Sequence, residues 1–116
     1  MSDESFITEF PPTPESPFVL VGQLLAHPEH ADALERVYGE MTRQAASEPG
    51  ILFYYLARDE HDRNRFYFFE QYAGRQAFEE HSKQPIIQKL ATEYKYIRGI
   101  KEARIARVIK PAEAKA

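Results

Sequence analysis

With 116 residues and a mass of 13.5 kDa, the chain has room for one compact domain and no second. Apolar residues at 43% can build a core, which excludes wholesale disorder, and a formal charge of −3 excludes the basic footprint of a nucleic-acid binder. The absence of cysteine removes disulfide scaffolds, thiol catalysis and cysteine zinc sites together.

No run approaches the roughly 20 apolar residues of a membrane span. The N-terminus, MSDESFITEF, is acidic and polar where a secretory signal is basic and then apolar, so we expect a cytoplasmic protein. Four of the eight prolines then fall between positions 11 and 17 and push the backbone towards extended conformations. Residues 1–16 read as an extended arm, 17–110 as the domain and 111–116 as a frayed tail. Phe6, Ile7 and Phe10 are unusual in a free arm and point to docking on a neighbour or a partner.

Segment 18–26, FVLVGQLLA, is a short apolar run of strand type. After Pro28, residues Ala31, Leu34, Val37, Tyr38, Met41 and Ala45 recur at helical spacing, which predicts a helix over about 29–47 that ends at Pro49-Gly50. Segments 51–58 and 65–72, ILFYYLAR and RFYFFEQY, are two aromatic strands joined by a polar loop, a hairpin. Gly74 opens a short helix with Ala77, Phe78 and His81 on one side, and Pro85 starts another with Ile86, Ile87, Leu90, Ala91 and Tyr94 in a stripe. The last strand is expected at about 100–109.

The order β-α-β-β-α-β, with its second helix broken, matches an α+β, ferredoxin-like plan: an antiparallel sheet with helices on one face. Alternation along the hairpin puts Ile51, Phe53, Tyr55 and Ala57 on one face and Leu52, Tyr54 and Leu56 on the other. Eight of the fifteen aromatic side chains lie between Phe53 and Tyr72, so both faces need cover. We expect a homodimer packed sheet against sheet.

Glu48-Pro49-Gly50 with Leu52 and Tyr54, then Arg58-Asp59, Phe69-Glu70-x-Tyr72, and Ala77-x-x-x-His81 before Pro85 resemble the antibiotic biosynthesis monooxygenase family of dimeric α+β barrels. The resemblance covers about residues 18–109. It implies a cofactor-independent oxygenase of small quinol-like or enolisable substrates, or, as in other relatives, a proton-transfer isomerase of small keto compounds; a non-catalytic binding dimer is the third reading. Family members often carry Trp where this chain has Tyr72, and the haem-degrading branch relies on an Asn, Trp and His set. With no Trp in the chain, haem degradation is not expected.

Within that resemblance His81 is the candidate base, because an imidazole accepts and returns protons near neutrality. Glu70 is the candidate orienter of His81 or second acceptor; the competing reading is a salt bridge to Arg58, Arg104 or Arg107. Tyr54 and Tyr72 are the candidate donors to a substrate oxygen, ahead of Tyr55 and Tyr67, and Phe68 is a candidate wall. Arg58 would bind an anionic group or sit at the sheet end. His27-Pro28-Glu29-His30 has the wrong spacing for a two-imidazole helix site, and no metal or cofactor is expected.

Overall fold

The computed structural model describes residues 5–114. The first four residues of the predicted arm and the last two of the tail lie outside the described residues. Four strands, β1 (Phe18–Ala26), β2 (Ile51–Arg58), β3 (Arg65–Tyr72) and β4 (Ile97–Ala106), form one antiparallel sheet in the order β2-β3-β1-β4. Helices α1 (Ala31–Ala45), α2 (Arg75–Ser82) and α3 (Pro85–Thr92) connect them, which is the ferredoxin-like α+β fold. Among the described residues no helix is long and apolar enough to cross a membrane.

The helix after β1 begins later than periodicity alone predicts. Pro28–His30 first makes a 3-10 turn, and α1 then buries Ala31, Leu34, Tyr38, Met41 and Ala45 on its inner stripe. The chain leaves α1 through a tight turn. Glu48 N–H donates to the Ala45 carbonyl and Ile51 N–H donates to the Glu48 carbonyl, which fixes Glu48 at the junction of α1 and β2. In the hairpin loop Asp59 accepts the backbone N–H groups of His61 and Asp62, an Asx-type turn.

Two expectations about the strands need correction. The pairing of β2 with β3 shifts between Ile51 and Phe53, so Leu52 is an extra, bulged residue. Ile51 consequently joins Tyr54 and Leu56 against the core instead of following Phe53. The last strand lies at 97–106, three residues earlier than the apolar run suggested. Its pairing with β1 accommodates two irregularities, at Gln23/Leu24 and Leu25/Ala26, and Val108 and Ile109 project beyond the sheet.

The core lies between the inner sheet face and the helices, with Phe18, Leu34, Phe66 and Tyr72 among its most buried side chains. On the opposite sheet face Phe53 is 47% and Tyr55 62% exposed, with Phe53 and Tyr55 stacked at 6.0 Å and Phe53 edge-on to Phe69 at 5.7 Å.

The arm follows its own domain. Ile7 N–H donates to the Ile100 carbonyl, Lys101 donates to the Ser5 carbonyl, and the Phe6 ring lies on Gly99, where a Cβ would come within 2.4 Å of it. Further on, Arg75 donates to the Thr13 carbonyl and pairs with Glu15, and Arg107 donates to Ser16 and to the Pro17 carbonyl.

Candidate active site

Three short-range facts of the fold converge on His81. It sits on the inner side of α2 and is 5% exposed. The turn after α1 points the Glu48 carboxylate at it, with Nδ1 at 3.2 Å and 3.1 Å from the two oxygens. Tyr54, brought inward by the β2 pleat, places its hydroxyl 3.3 Å from Nε2. A carboxylate accepts only, so it selects the tautomer with the proton on Nδ1. Nε2 then carries the free lone pair and accepts the Tyr54 O–H.

Next to this group, Glu70 and Tyr72 share the inner face of β3 because they are two residues apart. The Tyr72 hydroxyl donates to Glu70. Burial pushes the Glu70 carboxyl up to about 7, with the Tyr72 hydrogen bond opposing that rise. Burial and then the neighbouring Glu70 charge push the Tyr54 and Tyr72 hydroxyls well above their ordinary range. The rings are locked in place by packing: Tyr72 meets Phe78 edge-on at 5.2 Å and Phe18 at 5.6 Å.

A cavity of about 310 Å³ lies between the sheet and the helices. Tyr38, Tyr54, Glu70, His81 and Ser82 supply its polar groups, and every layer adds apolar wall: Leu20 and Phe68 from the sheet, Met41 from α1, Leu90 from α3. Few polar groups converging in an apolar cavity is the usual make-up of a ligand site. An open depression of about 620 Å³ lies on the far side of Glu48, but its titratable groups, Glu15, Glu48 and Glu80, are all carboxylates. His81 lines the inner cavity and not the outer depression, which makes the inner cavity the candidate ligand site.

The residues singled out from sequence divide into two sets. His81, Glu70, Tyr54 and Phe68 line one cavity. Tyr72 stands behind it, fully buried, holding Glu70. Arg58 is elsewhere: it binds Asp32 at 2.9 Å and Glu35 at 3.2 Å and covers the Phe66 ring at 5.4 Å, sealing α1 to the hairpin. Glu70 does not bond His81, nor does it pair with Arg58, Arg104 or Arg107; its partner is Tyr72, and the orienter of His81 is Glu48. Glu48 opens the Glu-Pro-Gly motif, and that position before a helix-ending turn was the only sequence signal for it. His30, from the discarded metal motif, rests against the Tyr96 ring at 5.2 Å.

Solved structures share this architecture. PA3566 of Pseudomonas aeruginosa is 28% identical with a TM-score of 0.67, covering 84% of this chain and 96% of its own. A Chloroflexus aurantiacus protein carrying the antibiotic biosynthesis monooxygenase name is 24% identical at a TM-score of 0.69, covering 84% and 98%. One from Bacteroides thetaiotaomicron with the same name is 21% identical at 0.72, covering 88% and 98%. No curated protein matches the chain. The family model for antibiotic biosynthesis monooxygenases matches residues 17–93, and the chain belongs to that family.

Proposed function

We propose that the protein is a cofactor-independent monooxygenase of a small aromatic, enolisable substrate, working as a homodimer. The observation that carries the reading is the Glu48–His81–Tyr54 chain ending at an apolar cavity. A substrate hydroxyl beside Tyr54 would pass its proton to the tyrosine oxygen as the tyrosine proton moves to His81 Nε2. The imidazolium so formed is stabilised by the Glu48 carboxylate. Because the Tyr54 hydroxyl is hard to ionise, this is a relay and not a resting phenolate.

The electron-rich anion then reacts with O2 at carbon. A C–O bond forms and the distal oxygen takes a proton from His81, leaving a hydroperoxide. Loss of the remaining proton on that carbon with cleavage of the O–O bond gives a carbonyl and one molecule of water. The apolar walls exclude water from the intermediate. Glu70, whose carboxyl burial raises towards neutrality, is the second group able to give or take a proton there.

The aromatic outer sheet face supports the dimer. Phe53, Tyr55, Tyr67 and Phe69 are all more than a third exposed and contiguous, and burying such a surface is favourable by about 25 cal/mol per Å². The isomerase reading has less support, since the arginine that would hold an anionic substrate is committed to Asp32 and Glu35 outside the cavity.

The test is oxygen uptake by the purified protein, without added flavin, metal or haem, across one- and two-ring hydroquinones. Uptake that falls in His81→Ala is the expected result. Silence across the panel, or full turnover in His81→Ala, would overturn the reading.

A further inference from the structure

The arm precedes the stretch that matches the family, yet one of its side chains lies in the cavity wall. Phe10 is 46% exposed and lines the same cavity as His81 and Tyr54. A half-exposed phenylalanine on a loose tail would wander. This one is held on both sides. Before it, Ile7 bonds the Ile100 carbonyl and Lys101 bonds the Ser5 carbonyl. The Phe6 ring fills the space over Gly99 and lies beneath Lys101 at 5.4 Å.

After it, Arg75 grips the Thr13 carbonyl with two nitrogens, at 2.9 Å and 2.7 Å. The Glu15 carbonyl lies where a Cβ on Gly74 would stand, 2.2 Å away, so this part of the arm presses directly on the start of α2. Pro11, Pro12 and Pro14 stiffen the segment between the clamps and reduce the entropy lost in holding it. The arm is therefore a strap fixed at both ends, from the edge strand β4 to α2, with Phe10 in the cavity wall between the two anchors.

We propose that this strap is a fixed wall of the ligand site and that Phe10 limits the ring size of the aromatic ligand it admits. The cavity of about 310 Å³ is at the small end of ordinary ligand pockets, about 300–1,000 Å³. Phe10 is the one residue in its lining that belongs to neither the sheet nor the helices. One- and two-ring phenols fit the class; a third fused ring meets Phe10. The proposal rests on the reading that this cavity is the ligand site, and not on the oxygen chemistry assigned to it.

Binding tests it without turnover. Dissociation constants of naphthol and phenanthrol, which differ by one fused ring, are measured calorimetrically for the full chain, Phe10→Ala and Phe10→Trp. Wild type should favour naphthol. Phe10→Ala should shift the preference towards phenanthrol at least fivefold, and Phe10→Trp should shift it the other way; a merely structural effect would weaken both ligands together. A shift below fivefold in Phe10→Ala, a shift in the same direction for both variants, or no binding to either wild type or Phe10→Ala would overturn the proposal. Binding with the expected shift but no oxygen uptake sinks the oxygenase reading alone. Oxygen uptake with unchanged ring preference sinks the wall alone.

Discussion

Glu48 and His81 are 33 residues apart in sequence, and the carboxylate of the first holds Nδ1 of the second at 3.1 Å. The contact joins the turn that ends α1 to the inner side of α2, so the candidate base is oriented by a residue of a different element. Removing the acceptor while keeping the shape, in Glu48→Gln, should lower kcat about tenfold with KM little changed. His81→Ala should cost about a hundredfold or more, as for other general bases. Glu48→Asp should recover part of the loss. Steady-state oxygen uptake checks all three, and a Glu48→Gln enzyme with wild-type kcat would remove Glu48 from the relay.

The partner of His81 was beyond the reach of sequence reasoning for a physical reason. Strand pleat and helix period relate residues within one element, and they put Glu70 on one strand face with Phe68, Tyr54 on one face with Leu56, and His81 beside Ala77 and Phe78. They say nothing about which strand face turns inward or which turn abuts which helix, so Glu48 was visible only as part of a turn motif. The Tyr72–Glu70 bond was within reach, since two residues on one strand face are neighbours. The Leu52 bulge was not, because an inserted residue leaves an apolar run unchanged while inverting the faces before it. The strands at 18–26, 51–58 and 65–72 fall where the runs and their polar boundaries put them. Strand β4 does not, because Val108 and Ile109 continue the apolar run past the end of the sheet.

The raised Glu70 carboxyl makes a prediction about stability and pH. Its folded-state value, about 7, is above its ordinary 4.5, so the fold favours the neutral form. That contribution is fully present below about pH 4.5 and is lost as pH rises through about 7. Glu70→Gln has no proton to lose. Between pH 5 and pH 8 its unfolding free energy should therefore gain on wild type by on the order of 2 kcal/mol. Urea denaturation of both proteins at the two pH values measures the difference. A gap that does not change with pH would place Glu70 in the ordinary carboxylate range.

The outer aromatic face should set the oligomeric state. Tyr55, the most exposed of its rings at 62%, stacks on Phe53 and pairs across the strands with Phe69. Introducing a charge there, in Tyr55→Lys, should weaken the dimer at least tenfold while leaving the inner cavity untouched. Light scattering should give twice the 13.5 kDa chain mass for wild type at micromolar concentration and a monomer fraction for the variant. A monomeric wild type would rule out the sheet-to-sheet dimer.

Gly22 ties the sheet to the cavity. It lies in the central strand β1, between Phe68 on β3 and Ala103 on β4. Its backbone needs no left-handed conformation, so any demand for glycine here is one of space. A Cβ at this position would come within 1.9 Å of the Glu102 carbonyl oxygen and 2.7 Å of Phe68 Cζ. The carbonyl belongs to the sheet and cannot swing freely, and the ring is part of the cavity lining. Gly22→Ala should therefore destabilise the fold by about 1–3 kcal/mol, as overpacking does. It should also weaken binding of the two-ring phenol, and pairing it with Phe68→Leu should restore part of both. Thermal unfolding and calorimetric titration of the two variants decide it, and a Gly22→Ala protein as stable as wild type would mean that β4 yields at its bulge without disturbing Phe68.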